Sequence, residues 1–583
     1  MTLSTSVYTN GEAHLLHNIS TIERKLFMEE TQPKEIHALG VERSPLWLNI
    51  FFALLTAAYS FLFIRQPNPF FADDSFFYLV VGRNFALGYG STFNRLMPTN
   101  GYHPIWMLLC AAVYRVFPNR ETGLHLIAAL IVALNIVVLV VAAQLLRLLR
   151  APTWVAWTIL IPFLFGLQLG TESSLSAAML AGTLLALYKF FEHSDWSSGF
   201  AFNLLAAFAV LSRLDSIFVI ACLWIAILIW CLQQRKRGES TALRIHLAWI
   251  PLYAVLWGAY LASNLFWFHI LMPISGLLKS NNSHDHVLGR NLPHTALLSL
   301  AICAISLLIL WRRQRDRWFL FAELPFFFGI LMHAAYITLR MTRETRWTWY
   351  YVSWALLAAL TASRAAACVF RAAPAVSRGR TPSVAATLRS LAIVLAVVFS
   401  ALLWYKMGWK HSREQVAEET TIPVMRQVLA ADQVRSLLAY DQPGGMAYFT
   451  DAAVVPLDGL MADRQFQTDL AQHGIGAFIG KDHIDAFAGP TVPFDEWGRQ
   501  TYCDHLFLES TKYTCEPWMK GPDGEPQWMI TGVEVYSRLP LAPAGYIPLP
   551  PSHILWTGKN YLTIWRISGE DPAPTAPDAP ASE

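Results

Sequence analysis

Charge is scarce in this chain. Only 15% of its 583 residues are Asp, Glu, Lys or Arg, against 54% hydrophobic. A soluble chain of this length cannot bury so much apolar surface, so the balance excludes an ordinary water-soluble architecture. Cysteine is scarce too. The seven cysteines contain no Cys-x-x-Cys pair and no Cys/His set with zinc spacing, which argues against a zinc module. No basic domain and no basic patch interleaved with aromatics is present, so nucleic acid is not an expected partner. The net charge of +3 is small, and in such chains the placement of Lys and Arg carries more information than their sum. Residues 1–45 lack the short apolar core and cleavage site of a signal peptide and read as a cytoplasmic N-terminal tail.

What the chain has instead is long apolar runs. They fall at 46–64, 121–146, 153–169, 174–191, 199–213, 216–233, 246–268, 295–311, 318–338, 347–368 and 390–407. Each approaches the length of a spanning helix. The run 105–117 is too short to span and carries Arg115, so it reads as re-entrant or interfacial. The expectation is a polytopic α-helical membrane protein with about 11 transmembrane helices over residues 46–409. Residues 410–569 have the composition of a small extracytoplasmic α/β domain. There Thr421–Leu438 and Gln465–Gln472 read as helices, and Met446–Phe449, Val454–Leu457 and Ile475–Ile479 as strands. Pro540, Pro543, Pro548, Pro550 and Pro551 are expected to break regular structure, and 570–583 to be a disordered tail. Cys503 and Cys515 are candidates for a disulfide if this region lies outside the cytoplasm.

Loop charges orient the helices. With the N-terminus inside, Arg147 and Arg150, Arg235–Arg244, Arg312–Arg317 and Arg371–Arg389 all fall on inner loops, as the positive-inside rule asks. The outer face then receives Asp73 and Asp74, Glu172, Arg213 and Asp215, Lys279, and Arg340, Arg343 and Arg346. Basic residues on an outer loop run against the rule. Either they meet lipid headgroups or they serve an anionic ligand, for which the planar guanidinium is suited.

The organising stretch is the polar loop 65–120. Two adjacent carboxylates directly after an apolar run are costly, and ionisable groups at a membrane boundary are candidates for function. Asp73 can equally cap a helix. Proximity of two acids raises one pKa, which favours a general base. A divalent cation held by Asp73 and Asp74 is an option that two carboxylates alone support weakly. Glu172 sits where it can simply favour a helix N-terminus, Arg213 and Asp215 where they can form a local ion pair. His103 shares the loop of the two acids, and Lys279 can pair with a phosphate. With Trp347, Trp349 and Tyr350, these groups fit sugar transfer from a lipid phosphate.

At these residues a family pattern becomes visible. Asp73-Asp74-Ser75-Phe76-Phe77-Tyr78-Leu79, Arg83-Asn84, Gly88-Tyr89-Gly90 and Thr99-Asn100-Gly101-Tyr102-His103-Pro104 resemble a branch of the GT-C superfamily of integral-membrane glycosyltransferases. That superfamily includes protein mannosyltransferases, aminoarabinose transferases of lipid A and mycobacterial arabinofuranosyltransferases. The resemblance continues through Gly170-Thr171-Glu172, Leu211–Asp215, Asn264, Leu271–Lys279, Trp347–Tyr351, Gly445–Phe449 and Val455–Leu460. Thr171 departs from it, standing where the pattern has Met. The resemblance implies a GT-C-like helical domain and a polyprenyl-phosphate-linked sugar donor used on the extracytoplasmic side. It also implies an inverting transfer to a glycan, lipid or protein acceptor, a bacterial inner membrane, and Asp73 or Asp74 as catalytic base. Arg83, Asn100, Tyr102, His103, Glu172, Arg213, Asp215, Lys279, Arg343, Arg346, Trp349 and Tyr350 are then substrate-binding candidates. A transporter or flippase of a lipid-linked anion is the alternative; it calls for charges at mid-membrane on broken helices. A silent assembly protein would leave the acid pair unexplained.

Overall fold

A computed structural model describes residues 46–166, 170–281, 292–341 and 348–372, a few single residues between 387 and 398, and parts of 422–567. Most of the segment 390–407, Arg343 and Arg346, the strand expected at Ile475–Ile479, Cys503 and the two chain termini lie outside the described residues.

Helices of membrane length dominate. Among the described residues, eight are long and apolar enough to cross a membrane: Leu46–Arg65, Arg120–Leu148, Ser173–His193, Leu214–Lys236, Thr241–Phe268, His294–Arg313, Phe319–Arg340 and Thr348–Phe370. Two more expected spans are helical but short, at 14 residues for Thr153–Gly166 and 17 for Trp196–Ser212. At a rise of about 1.5 Å per residue, the first reaches only about 21 Å. The run read as re-entrant is a helix of 13 residues, Pro104–Val116.

The elements that carry the site are α1 (Asp73–Ala86), α2 (Pro104–Val116), α3 (Ser173–His193), α4 (Trp196–Ser212), α5 (Ile217–Lys236), α6 (Ile274–Asn281), α7 (Leu324–Arg340) and α8 (Val352–Ala372). Helix α1 is not a span. It is buried on nearly every side, from Ser75 to Gly82, Asn84 and Ala86. It lies tightly against α2, where a Cβ on Gly82 would come within 2.9 Å of Cys110 Cβ. At the far end of α7 and α8 from the site, buried Arg364 pairs with Glu323 and, at 2.6 Å, with Asp316. An ion pair there anchors the bundle where uncompensated charge would be costly.

Beyond residue 422 the chain builds mixed sheets. A five-stranded sheet has the order β2-β1-β3-β8-β7, from β1 (Ser436–Ala439), β2 (Ala453–Pro456), β3 (Ala486–Thr491), β7 (Leu541–Leu549) and β8 (Asn560–Ile567). Strand β1 runs parallel to β2 and β3, and β8 runs antiparallel to β3 and β7. The remaining strands, β4 (Thr511–Lys520), β5 (Pro526–Val535) and β6 (Ser537–Arg538), form a separate antiparallel sheet.

Three local expectations are corrected. Met446–Phe449 is not a strand but the body of α10 (Pro443–Phe449). Its opening proline is pre-set for a first helical turn. The helix expected over Thr421–Leu438 ends as α9 (Ile422–Ala431), and Ser436–Ala439 goes into the sheet as wholly buried β1. The prolines at 543 and 548 do not prevent a strand, because β7 lies at the sheet edge and its ladder shifts register between Pro543 and Gly545. An edge strand needs its donors on one side only, which tolerates proline.

Candidate active site

The two adjacent acids have different environments. Helix α1 begins at Asp73, with Ala72 as its N-cap, so Asp73 does not cap its own helix. It serves another. Its Oδ2 accepts from Gly444 N at 3.1 Å and its Oδ1 from Gly445 N at 2.8 Å. An anion facing backbone N–H groups at a helix start satisfies donors that have no intrahelical partner. Gly444 is required by space: a Cβ there would lie 2.3 Å from Asp73 O.

Asp74, one residue on, turns the other way. Its side chain is 33% exposed, and its Oδ2 lies 3.9 Å from Lys279 Nζ on α6. Burial raises its pKa above the usual carboxylate value; Lys279 opposes that rise and the Glu172 carboxylate adds to it. The pair does not fit a shared cation. Both Asp73 oxygens are engaged by amides, and a lysine occupies the approach to Asp74. Among the described residues no group of three or more His, Cys, Asp or Glu is placed to hold a metal ion.

Beneath Asp74 lies a buried charge cluster. Glu172 at the start of α3 is almost wholly buried, and Arg213 at the end of α4 closes on it with Nη1. The same guanidinium grips Asp215 through Nε at 2.9 and 3.0 Å and Nη2 at 2.9 Å. Its plane stacks over the Tyr350 ring, with Cζ 4.4 Å from the centroid. Arg suits this place because one rigid fork serves two carboxylates and an aromatic face at once. Tyr78 lies one turn along α1 from Asp74, and burial together with the Glu172 carboxylate raises the pKa of its hydroxyl. Spacing i, i+4 puts both residues on one helix face.

Two histidines complete the cluster. His103 Nδ1 accepts from Leu214 N at 3.3 Å, so its proton sits on Nε2, which faces Glu172 at 3.6 Å. Burial lowers its pKa, which keeps the ring neutral near pH 7, although Glu172 opposes the shift. His333 on α7 faces Asp215 Oδ2 with Nε2 at 3.3 Å, while its Nδ1 accepts from Trp354 Nε1 at 3.3 Å. The donor on one side fixes the tautomer on the other. Gly170 permits this assembly. Its φ of +99° suits glycine, its carbonyl accepts from Trp106 Nε1 at 3.2 Å, and a Cβ would lie 2.6 Å from Ser75 Cβ.

The structure therefore brings together Asp74, His103, Glu172, Arg213, Asp215, Lys279 and Tyr350, which the sequence scatters over some 280 residues. Lys279 Nζ donates to Tyr350 Oη at 3.2 Å, and Trp349 stacks on Tyr350 with its carbonyl accepting from Ser173 Oγ. Three other candidates are placed differently. Asn100 is buried and clamps the 271–274 loop, donating to Met272 O at 3.4 Å and to Asn264 Oδ1 at 3.3 Å, and accepting from Ile274 N. Tyr102 is tied to Ser91 Oγ at 2.5 Å. Arg83 lies on the far end of α1 and donates to Pro118 O. Sequence reasoning missed His333, Trp354 and Gly444 as parts of the site. A lone histidine in an apolar run was the only signal for the first.

No protein-family model matches the chain, and no curated protein sequence matches it. Among solved structures the chain is similar to ArnT from Cupriavidus metallidurans bound to undecaprenyl phosphate, at 14% identity over 83% of this chain and 97% of that one, TM-score 0.45. ArnT in the apo state is similar at 14% identity and TM-score 0.42, with the same coverage. The arabinosyltransferase EmbB from Mycobacterium smegmatis is similar at 12% identity over 96% of this chain and 67% of that one, TM-score 0.37.

Proposed function

We propose that this chain is a membrane glycosyltransferase that moves a sugar from a polyprenyl-phosphate donor to an acceptor hydroxyl on the extracytoplasmic face, with Asp74 as general base. The observation that carries the reading is the asymmetry of the acid pair. Asp73 spends both oxygens on backbone amides, whereas Asp74 stays partly exposed beside Lys279. Asp74 takes the acceptor proton as the acceptor oxygen bonds to the anomeric carbon. The bond from that carbon to the phosphate oxygen breaks, and the lipid phosphate leaves on the opposite face, inverting the centre. Lys279 neutralises the departing phosphate. A donor that draws Lys279 away from Asp74 removes the group that lowers its pKa, so donor binding sharpens the base.

In this reading Arg343 and Arg346 supplement Lys279, residues 410–569 form the extracytoplasmic domain, and the N-terminus is cytoplasmic in a bacterial inner membrane. The buried Glu172–Arg213–Asp215 cluster lies at helix ends rather than mid-span, which fits a surface reaction better than a transport path. The test is transfer by reconstituted protein from a panel of radiolabelled undecaprenyl-phosphate sugars. Asp74→Asn should cut transfer by about 10²–10⁴-fold while donor binding persists. Full activity of Asp74→Asn, or lipid movement across the bilayer without transfer, would remove the reading.

A further inference from the structure

A second basic constellation lies on the other end of α1. A cleft of about 500 Å³, open to solvent, is lined by Arg83, Asn94, Arg95, Arg120, Arg435 and Asp451. Arg83 is nine residues along α1 from Asp74, about 13 Å at the helical rise, so this cleft is distinct from the Lys279 site. Four guanidiniums share it with one carboxylate. Asp451 pairs with Arg120 at 2.9 Å but is itself 95% exposed. Such a pair is screened and offsets little of the like-charge repulsion.

The guanidiniums are held in place from behind. Arg83 donates through Nε to Pro118 O at 3.1 Å, and Arg95 through Nε to Asn84 Oδ1 at 3.2 Å, with its plane 4.5 Å over Tyr89. Among the described residues, the Nη atoms of these two make no hydrogen bond. Burial, then Arg120 and Arg95, press the Arg83 guanidinium below its usual pKa, which is the mark of crowded positive charge. Asn94 adds an independent observation. Its Oδ1 accepts from Leu96 N at 3.0 Å and Met97 N at 3.1 Å, which fixes the amide orientation. Its Nδ2, in a side chain only 2% exposed on the cleft wall, is a buried donor without a partner. An orphaned donor beside uncompensated cations points to an acceptor-rich anion.

We infer that the cleft between α1 and the 447–453 segment binds a phosphate-class anion, held by the forks of Arg83, Arg95, Arg120 and Arg435. Two sources share that chemistry, a phosphate group on an acceptor molecule and the headgroup of a neighbouring anionic lipid. The site goes beyond the transfer reading and does not need it to hold.

The test uses full-length protein in nanodiscs of neutral phosphatidylcholine, titrated calorimetrically with inorganic pyrophosphate. The Lys279→Met background keeps the donor-phosphate site from contributing, so failure here is separate from failure of the transferase reading. One saturable site is expected. Arg95→Gln with Arg435→Gln, both exposed side chains, should weaken it roughly tenfold or more. Asp451→Asn, which removes the internal carboxylate, should tighten it, a gain that misfolding cannot mimic. Nanodiscs doped with phosphatidylglycerol separate the sources: competition with pyrophosphate assigns a lipid headgroup, and none assigns a non-lipid phosphate. Absence of saturable binding, or binding indifferent to both substitutions, overturns the inference.

Discussion

Replacing Asp73 with Ala should unseat a helix rather than remove a base. The carboxylate gives two hydrogen bonds to Gly444 N and Gly445 N, at 3.1 and 2.8 Å. Charge-assisted bonds contribute about 1.5–3 kcal/mol each in favourable settings, and loss of a capping side chain costs about 0.5–2 kcal/mol. These two bonds are partly buried and share one carboxylate, so about 2–3 kcal/mol is the expected local loss. Hydrogen exchange reads it directly: the 444–449 amides should exchange roughly 30–150 times faster in Asp73→Ala, while spans such as Arg120–Leu148 stay protected. Transfer should fall, and Asp73→Asn should be milder because its amide oxygen still accepts one bond. Unchanged exchange at 444–449 with transfer lost as fully as in Asp74→Asn would refute the division of labour, since Asp73 would then belong to the chemistry.

The remaining predictions follow the same geometry. Asp74→Asn should lower kcat by about 10²–10⁴-fold with little change in donor affinity, and the acid limb of the wild-type rate profile should lie above an ordinary carboxylate value. Because the folded-state pKa of Asp74 is raised, ionising it costs stability as pH climbs through that pKa, so Asp74→Asn should raise Tm at neutral pH, measured by thermal unfolding in detergent. Arg213→Met strands two buried carboxylates and should cost about 3–5 kcal/mol or prevent folding, whereas Arg213→Lys should fold better yet lose the bidentate grip on Asp215, read as lower kcat. Gly444→Ala should reproduce the Asp73→Ala exchange pattern, since its Cβ would meet backbone that cannot swing away.

Much of this was legible in the residues, for a definite reason. In an apolar chain every charge at a helix end is expensive, so Asp74, Glu172, Arg213, Asp215 and Lys279 stand out without any structure. Length and hydropathy likewise exposed eight of the expected spans. The rest depended on contacts that leave no local trace. Whether Asp73 or Asp74 stays available depends on the amides of Gly444 and Gly445, some 371 positions away. Met446-Ala-Tyr-Phe449 has strand-like composition, but its place over Asp73 favours a helix start, and tertiary context overrides propensity. The prolines of β7 looked like breakers because its position at the sheet edge could not be read beforehand. His333 was hidden in an apolar helix until Asp215 and Trp354 gave it two partners.

The clamp of Asp73 on the helix at Gly444 also sets a timetable. A ribosome reaches Asp73 early, and 371 residues must be added before its amide partners exist. At about 5–20 residues per second, that interval is roughly 20–70 s. Gly101, pressed against Leu460 O, waits equally long for its neighbour. During this interval the first polar loop has neither brace, so a chain that stops between Lys279 and Gly444 carries Asp74, Glu172, Arg213, Asp215 and Lys279 but lacks the amides that engage Asp73. The bracing of the first polar loop is thus the last step of its assembly, set by residues made long after the loop itself.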